Sequence, residues 1–161
     1  MMIGNPDSFA IWCDSVPEWS NERFKNGCFA FFIDGRLIWS LRSTLSVDLH
    51  MLETLHCMRH GVENEHLFHM PLVHAYNELL DRAFPDIDSD AEDNDFTYLV
   101  SAESLSDDGY NVFLVEFEEK ARLIYGSKRD VSSTRDLLLK RGEFQLVVRE
   151  AIKKYKDLSN S

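Results

Sequence analysis

For 161 residues the sequence has little glycine, little proline and little cysteine: seven, four and three respectively. None of the glycines forms Gly-x-x-x-x-Gly-Lys or Gly-x-Gly-x-x-Gly, so the usual backbone cradles for nucleotide phosphates are missing. No Gly-x-Ser-x-Gly elbow occurs either, which leaves serine, histidine and aspartate as composition and not as a nucleophilic triad. Cys13, Cys28 and Cys57 are odd in number and lack the spacing of a disulfide framework, as expected of reduced cytoplasmic thiols. The opening Met1–Asp7 has no basic stretch leading into an apolar run, so no signal peptide is expected. No stretch approaches the ~20 apolar residues of a membrane span. Between Asp86 and Glu119 there is not one lysine or arginine.

What is present is core material and negative charge. Hydrophobic residues make up 44% of the chain and aromatics 12%, with eleven phenylalanines, enough for one packed domain over residues 1–161. The formal net charge is −11. That sign repels phosphate backbones, which are held by displacing counterions with Lys and Arg, and it speeds encounter with cationic partners. Twelve acids lie between Asp86 and Glu119, whereas the segment from Lys120 onward holds eleven basic and five acidic residues. A fold that keeps 86–119 on one side has a negative face; solubility alone accounts for the same composition.

Hydrophobic patterning predicts the elements. Phe9–Cys13 is a short strand. Cys28–Ile33 and Arg36–Trp39 flank Asp34-Gly35, a dipeptide that tolerates the positive φ angles of a type I′ turn, so a hairpin is expected. Leu45, Leu49, Leu52 and Leu55 recur at helical spacing and predict a helix from Thr44 to about Arg59, ended by Gly61. A second helix opens at Pro71 and stops at Pro85, with Leu72, Tyr76, Leu79, Leu80 and Ala83 on its apolar face. The run 86–95 carries six acids in ten residues and reads as a solvated loop. Strands are expected over Phe96–Val100, Tyr110–Phe117, Ala121–Tyr125 and Arg135–Leu139. Phe144, Val147, Val148, Ala151, Ile152 and Tyr155 place a final helix. The fold class is therefore α+β, a single domain with largely antiparallel sheets in the order βββ-αα-βββ(β)-α. Arg36–Ser40 resembles Arg122–Gly126, a weak internal likeness.

Candidate chemistry is thin. Asp86, Asp88 and Asp90 match the first, third and fifth places of a calcium loop, but Ala91 stands where glycine makes the sharp turn and Thr97 where a bidentate glutamate closes the site. His56 and His60 share one helical face, with His66, His69 and His74 nearby as further nitrogen ligands, yet Cys57 replaces the glutamate of the zinc-hydrolase motif. Cys13, Cys28 and Cys57 sit in apolar or helical settings, where thiols are more often packed than reactive. Phe29, Phe31, Trp39 and Phe113 alternate along strands, as either a core or a base-stacking platform requires, and the negative charge argues against nucleic acid.

Short motifs along most of the chain carry a resemblance. Ile3-Gly4-Asn5-Pro6-Asp7-Ser8-Phe9-Ala10-Ile11, Asn26-Gly27-Cys28-Phe29, the Asp34-Gly35 hairpin, Thr44-Leu45 with Asp48-Leu49, and Leu139-Lys140-Arg141-Gly142-Glu143-Phe144 followed by Val147-Val148 and Ala151 together resemble the bacterial immunity proteins of polymorphic toxin systems. Contact-dependent growth inhibition is among those systems, and the likeness is to the immunity protein 42 family. The acidic run 86–95 departs from the pattern. The resemblance implies a cytoplasmic antitoxin, not an enzyme, which binds a secreted toxin stoichiometrically and needs no metal or other cofactor. Such toxins are often cationic nucleases acting on polyanions. Asp86, Asp88, Asp90, Glu92, Asp93 and Asp95, with Asp107, Asp108, Glu118 and Glu119, are then the expected partner-binding residues; nucleic acid and membrane are not expected partners. A metal-dependent enzyme built on His56 and His60, or a nucleic-acid-binding module, are the alternatives.

Overall fold

The computed structural model describes residues 1–90, 93–127 and 130–160. They form two compact units. The first comprises Met1–Thr54, Ala102–Asp108 and the segment from Gly142 onward; the second comprises Leu55–Ser101 and Gly109–Arg141.

In the first unit, β1 (Met2–Gly4), β2 (Phe9–Ser15), β3 (Asn26–Ile33) and β4 (Arg36–Thr44) make an antiparallel sheet in sequential order. The expected hairpin is present. Asp34 and Gly35 have φ of 52° and 71°, the left-handed pair that a type I′ turn demands. Strand β1 is too short for periodicity to reveal. It ends at Gly4, where φ is +97° and a Cβ would lie 2.5 Å from the Phe9 carbonyl oxygen, so only glycine fits. The apolar stripe of α5 (Glu143–Ser159) packs on the inner face. Phe144 stacks 4.9 Å from Phe9 and 6.3 Å edge-on to Phe31, and Val148, Ala151 and Ile152 are buried.

The helix expected over Thr44–Arg59 ends earlier. Helix α1 spans Leu45–Glu53, burying Leu45, Leu49 and Leu52, and a single 3-10 turn follows at His56–Met58. Thr54 stops it: its amide bonds the His50 and Met51 carbonyls and its hydroxyl bonds Met51 again, satisfying the helix end. Leu55 then turns extended and belongs to the second unit.

In the second unit, β5 (Tyr110–Phe117), β6 (Lys120–Ser127) and β7 (Asp130–Lys140) form an antiparallel sheet. Helix α3 (Leu72–Ala83) starts just after Pro71 and buries Ala75, Tyr76, Leu79 and Ala83 against Phe113, Val115 and Ile124. The strand expected at Phe96–Val100 is not formed. Asp95 accepts the Thr97 amide at 3.0 Å and the Leu99 amide bonds the Phe96 carbonyl, so the chain bends before a ladder begins. What remains is an isolated bridge, Leu99 to Phe113, flanked by bonds from the Val100 amide to the Val112 carbonyl and from the Leu114 amide to the Tyr98 carbonyl. Two five-residue helices, α2 (Glu65–His69) and α4 (Glu103–Asp107), are too short to show a period. Both segments of the internal likeness are strand: Arg36–Ser40 lies in β4 and Arg122–Gly126 in β6.

Two buried polar groups fix the small helices. In the first unit the Asp48 carboxyl accepts from the Ser43 hydroxyl and from the Ser104 amide (2.9 Å) and hydroxyl (2.6 Å), which ties α1 to the first turn of α4. In the second, Arg122 donates to the Phe68 (3.1 Å) and Met70 (2.6 Å) carbonyls at the end of α2, and its Nε pairs with Asp136 at 2.8 Å. The guanidinium thus satisfies carbonyls that a helix terminus leaves open.

Candidate partner-binding surfaces

The acidic loop hangs from the C-terminal end of α3. Both of its ends are tied there: the Asn94 side chain donates to the Ala83 carbonyl at 2.8 Å, and the Asp95 amide donates to the Arg82 carbonyl at 2.8 Å. Between them Asp86, Asp88, Asp90 and Asp93 are exposed, and Ile87 is fully so. Glu92, with Ala91, lies outside the described residues. Asp95 holds its proton less tightly than an ordinary aspartate. The hydrogen bond from Thr97 is the main cause, and the charges of Arg82 and His56 add to it.

The expected acidic residues come from three separate segments, divided between the two units. Helix α3 begins beside Arg122, which reaches the Met70 carbonyl, and carries Tyr76 against Gly126, so it runs toward the Tyr110 and Ser127 end of the β5–β6 hairpin. Past the loop, Tyr98 and Val100 are bonded to Leu114 and Val112 in the middle of β5, whereas Glu118 and Glu119 form the exposed turn that joins β5 to β6. Glu118 adopts φ of 51° there, and Arg141 bonds its carbonyl at 2.9 Å. Asp107 and Asp108 belong to the first unit. Asp107 is exposed, while Asp108 is half-buried and paired with Arg42. Burial pushes the Asp108 carboxyl up, but hydrogen bonds from Ser40 and Arg42 and the Arg42 charge outweigh it and hold its pKa below the usual value.

The histidines stand apart from any ligand set. His56 and His60 are exposed, with rings stacked 4.7 Å apart. His66 and His69 line a shallow depression with Glu65, Met70 and Pro71. Among the described residues no group of three or more His, Cys, Asp or Glu side chains is placed to hold a metal ion. Cys13 and Cys57 are buried thiols, and burial pushes the Cys13 thiol up to about 11. No helix among the described residues is long and apolar enough to cross a membrane.

The four alternating aromatics part company. Phe29, Phe31 and Phe113 are buried in the two cores, whereas Trp39 is 44% exposed on β4. None of the three tryptophans is buried: Trp12 is half-buried and Trp19 is exposed. Periodicity alone could not separate these cases. The strand register could, because Trp39 is out of step with Ile38 and Ser40, which face the core.

The sequence model of immunity protein 42 matches residues 1–154. The chain belongs to the immunity protein 42 family. A crystal structure of CdiI from Burkholderia dolosa is similar to it, with 57% identity and a TM-score of 0.92, over 96% of this chain and 99% of that one. No curated protein matches the sequence significantly. The family match spans both compact units, and the sequence's own resemblance to immunity proteins is thereby established. The two antiparallel sheets with intervening helices are the α+β fold expected.

Proposed function

We propose that this immunity protein 42 family member acts as one domain in the bacterial cytoplasm, where it neutralises a cognate toxin domain by stoichiometric binding and performs no catalysis. The toxin is a basic protein, of the nuclease kind, and neither nucleic acid nor membrane is a partner. Family membership over residues 1–154 supports the antitoxin role. The observation that carries the finer reading is electrostatic: a net charge of −11, with Asp86, Asp88, Asp90 and Asp93 exposed on a loop anchored at both ends. Carboxylates held in that way steer a cationic domain into encounter, at rates that reach ~10⁸–10⁹ M⁻¹s⁻¹ at low salt.

Reversing Asp86, Asp88, Asp90 and Asp93 to lysine tests the role of the loop. Stopped-flow association with the toxin domain encoded beside this chain should slow by about tenfold or more at low ionic strength and lose most of its salt dependence. An unchanged rate would remove the loop from the encounter surface while leaving the antitoxin role standing.

A further inference from the structure

The four-stranded sheet covers its inner face with α5 and leaves its outer face to solvent. A half-covered antiparallel sheet ordinarily carries polar side chains on the wet side. Here the outward positions are mostly apolar, with Asp14, paired to the Met1 ammonium, toward one end of β2. The register aligns Met2, Trp12, Ala30 and Trp39 in one row across all four strands, and Phe32 pairs with Leu37 in the next. Met2, Leu37 and Trp39 leave 46%, 45% and 44% of their surface exposed, while Ala30 between the two tryptophans has none, so the flanking side chains close over it. Centres rich in tryptophan and methionine and depleted of charge are what protein interfaces enrich, and apolar side chains exposed together mark interaction sites more than ones scattered singly do.

Resting on the antitoxin reading, we infer that this face seats the cognate toxin domain, with Trp39 and Trp12 as the anchors at the interface centre. The family makes the partner a protein, and charge selects which protein. A second copy of the chain also carries −11 and is repelled, whereas a cationic domain is drawn in. The exposed carboxylates govern encounter; the sheet face holds the complex together once formed. Tryptophan anchors in desolvated pockets commonly carry the largest share of an interface.

The test is calorimetric titration of the full chain with the purified toxin domain encoded beside it, comparing wild type with Trp39→Ser, Leu37→Ser and Trp39→Phe. These side chains point to solvent in the free chain, and thermal midpoints check that the fold is kept. Trp39→Ser is expected to weaken binding by about 30-fold or more, Leu37→Ser by less, and Trp39→Phe least. Wild-type tryptophan emission should shift to the blue as the rings lose water. Equal affinity for wild type and for both serine variants would overturn the proposal and leave the antitoxin role intact. So would a toxin-free dimer that Trp39→Ser dissociates without weakening the toxin, since the face would then serve self-association. A wild-type chain that does not bind the toxin would overturn both. If Trp39→Ser does not fold, Leu37→Ser and Trp12→Ser decide by the same criterion.

Discussion

At the scale of single residues, stability rests on polar groups that the sequence does not distinguish from surface ones. Asp48 occupies an apolar helical stretch beside Val47 and Leu49, yet it is buried and accepts three hydrogen bonds from Ser43 and Ser104. Replacing it by alanine strands the Ser104 amide and should cost about 3 kcal/mol, read as a lowered urea midpoint at unchanged slope. Asp48→Asn, which keeps one acceptor, should cost less. Arg122 was equally hidden: its place in β6 predicts an ordinary strand residue, and only the fold brings the α2 carbonyls to it. Cys13 gives a chemical readout. Its thiol is protonated up to about pH 11, so the stabilisation from keeping it neutral is complete below its ordinary value of 9.0 and is lost as pH rises through about 11. Native protein at pH 8 should therefore leave Cys13 unmodified by a maleimide over a period in which the partly exposed Cys28 reacts, and unfolding in urea should make it reactive.

At the scale of elements, legibility followed length and punctuation. The Asp34-Gly35 hairpin, α3 between its two prolines, and α5 with its unbroken apolar stripe were all readable, because in each the local signal and the burial agree. Thr44–Arg59 was not, because Leu55 continues the stripe in sequence while Thr54 has already ended the helix in space. Phe96–Val100 has the composition of a strand, but the Asp95 side chain captures the Thr97 amide before pairing begins. Short elements such as β1, α2 and α4 lie below the length at which any period can be counted. The hairpin supplies a sharp test. Gly35 has φ of 71°, where a β-branched side chain clashes with its own backbone. Gly35→Val should cost about 1–3 kcal/mol in the same denaturation assay, whereas Asp34→Gly should cost little, since glycine also suits a positive φ.

At the scale of the whole molecule, charge and family membership were legible and the arrangement of the charges was not. Twelve acids between Asp86 and Glu119 read as one block along the chain. The fold distributes them: Glu103, Asp107 and Asp108 go to one compact unit, and the loop and the Glu118–Glu119 turn are separate segments of the other. Trp39 illustrates the converse, a residue indistinguishable from core in its strand that the register turns outward. Both facts underlie the division of labour we propose, with exposed carboxylates for encounter and an apolar sheet face for residence. The claim beneath all of it is that the chain acts by forming a complex with a toxin. The most direct measurement is calorimetric titration of the wild-type chain with its cognate toxin domain. A one-to-one complex that abolishes the toxin's activity in step with its formation is the expected result. No heat of binding, with the toxin fully active beside an excess of folded chain, would contradict the account.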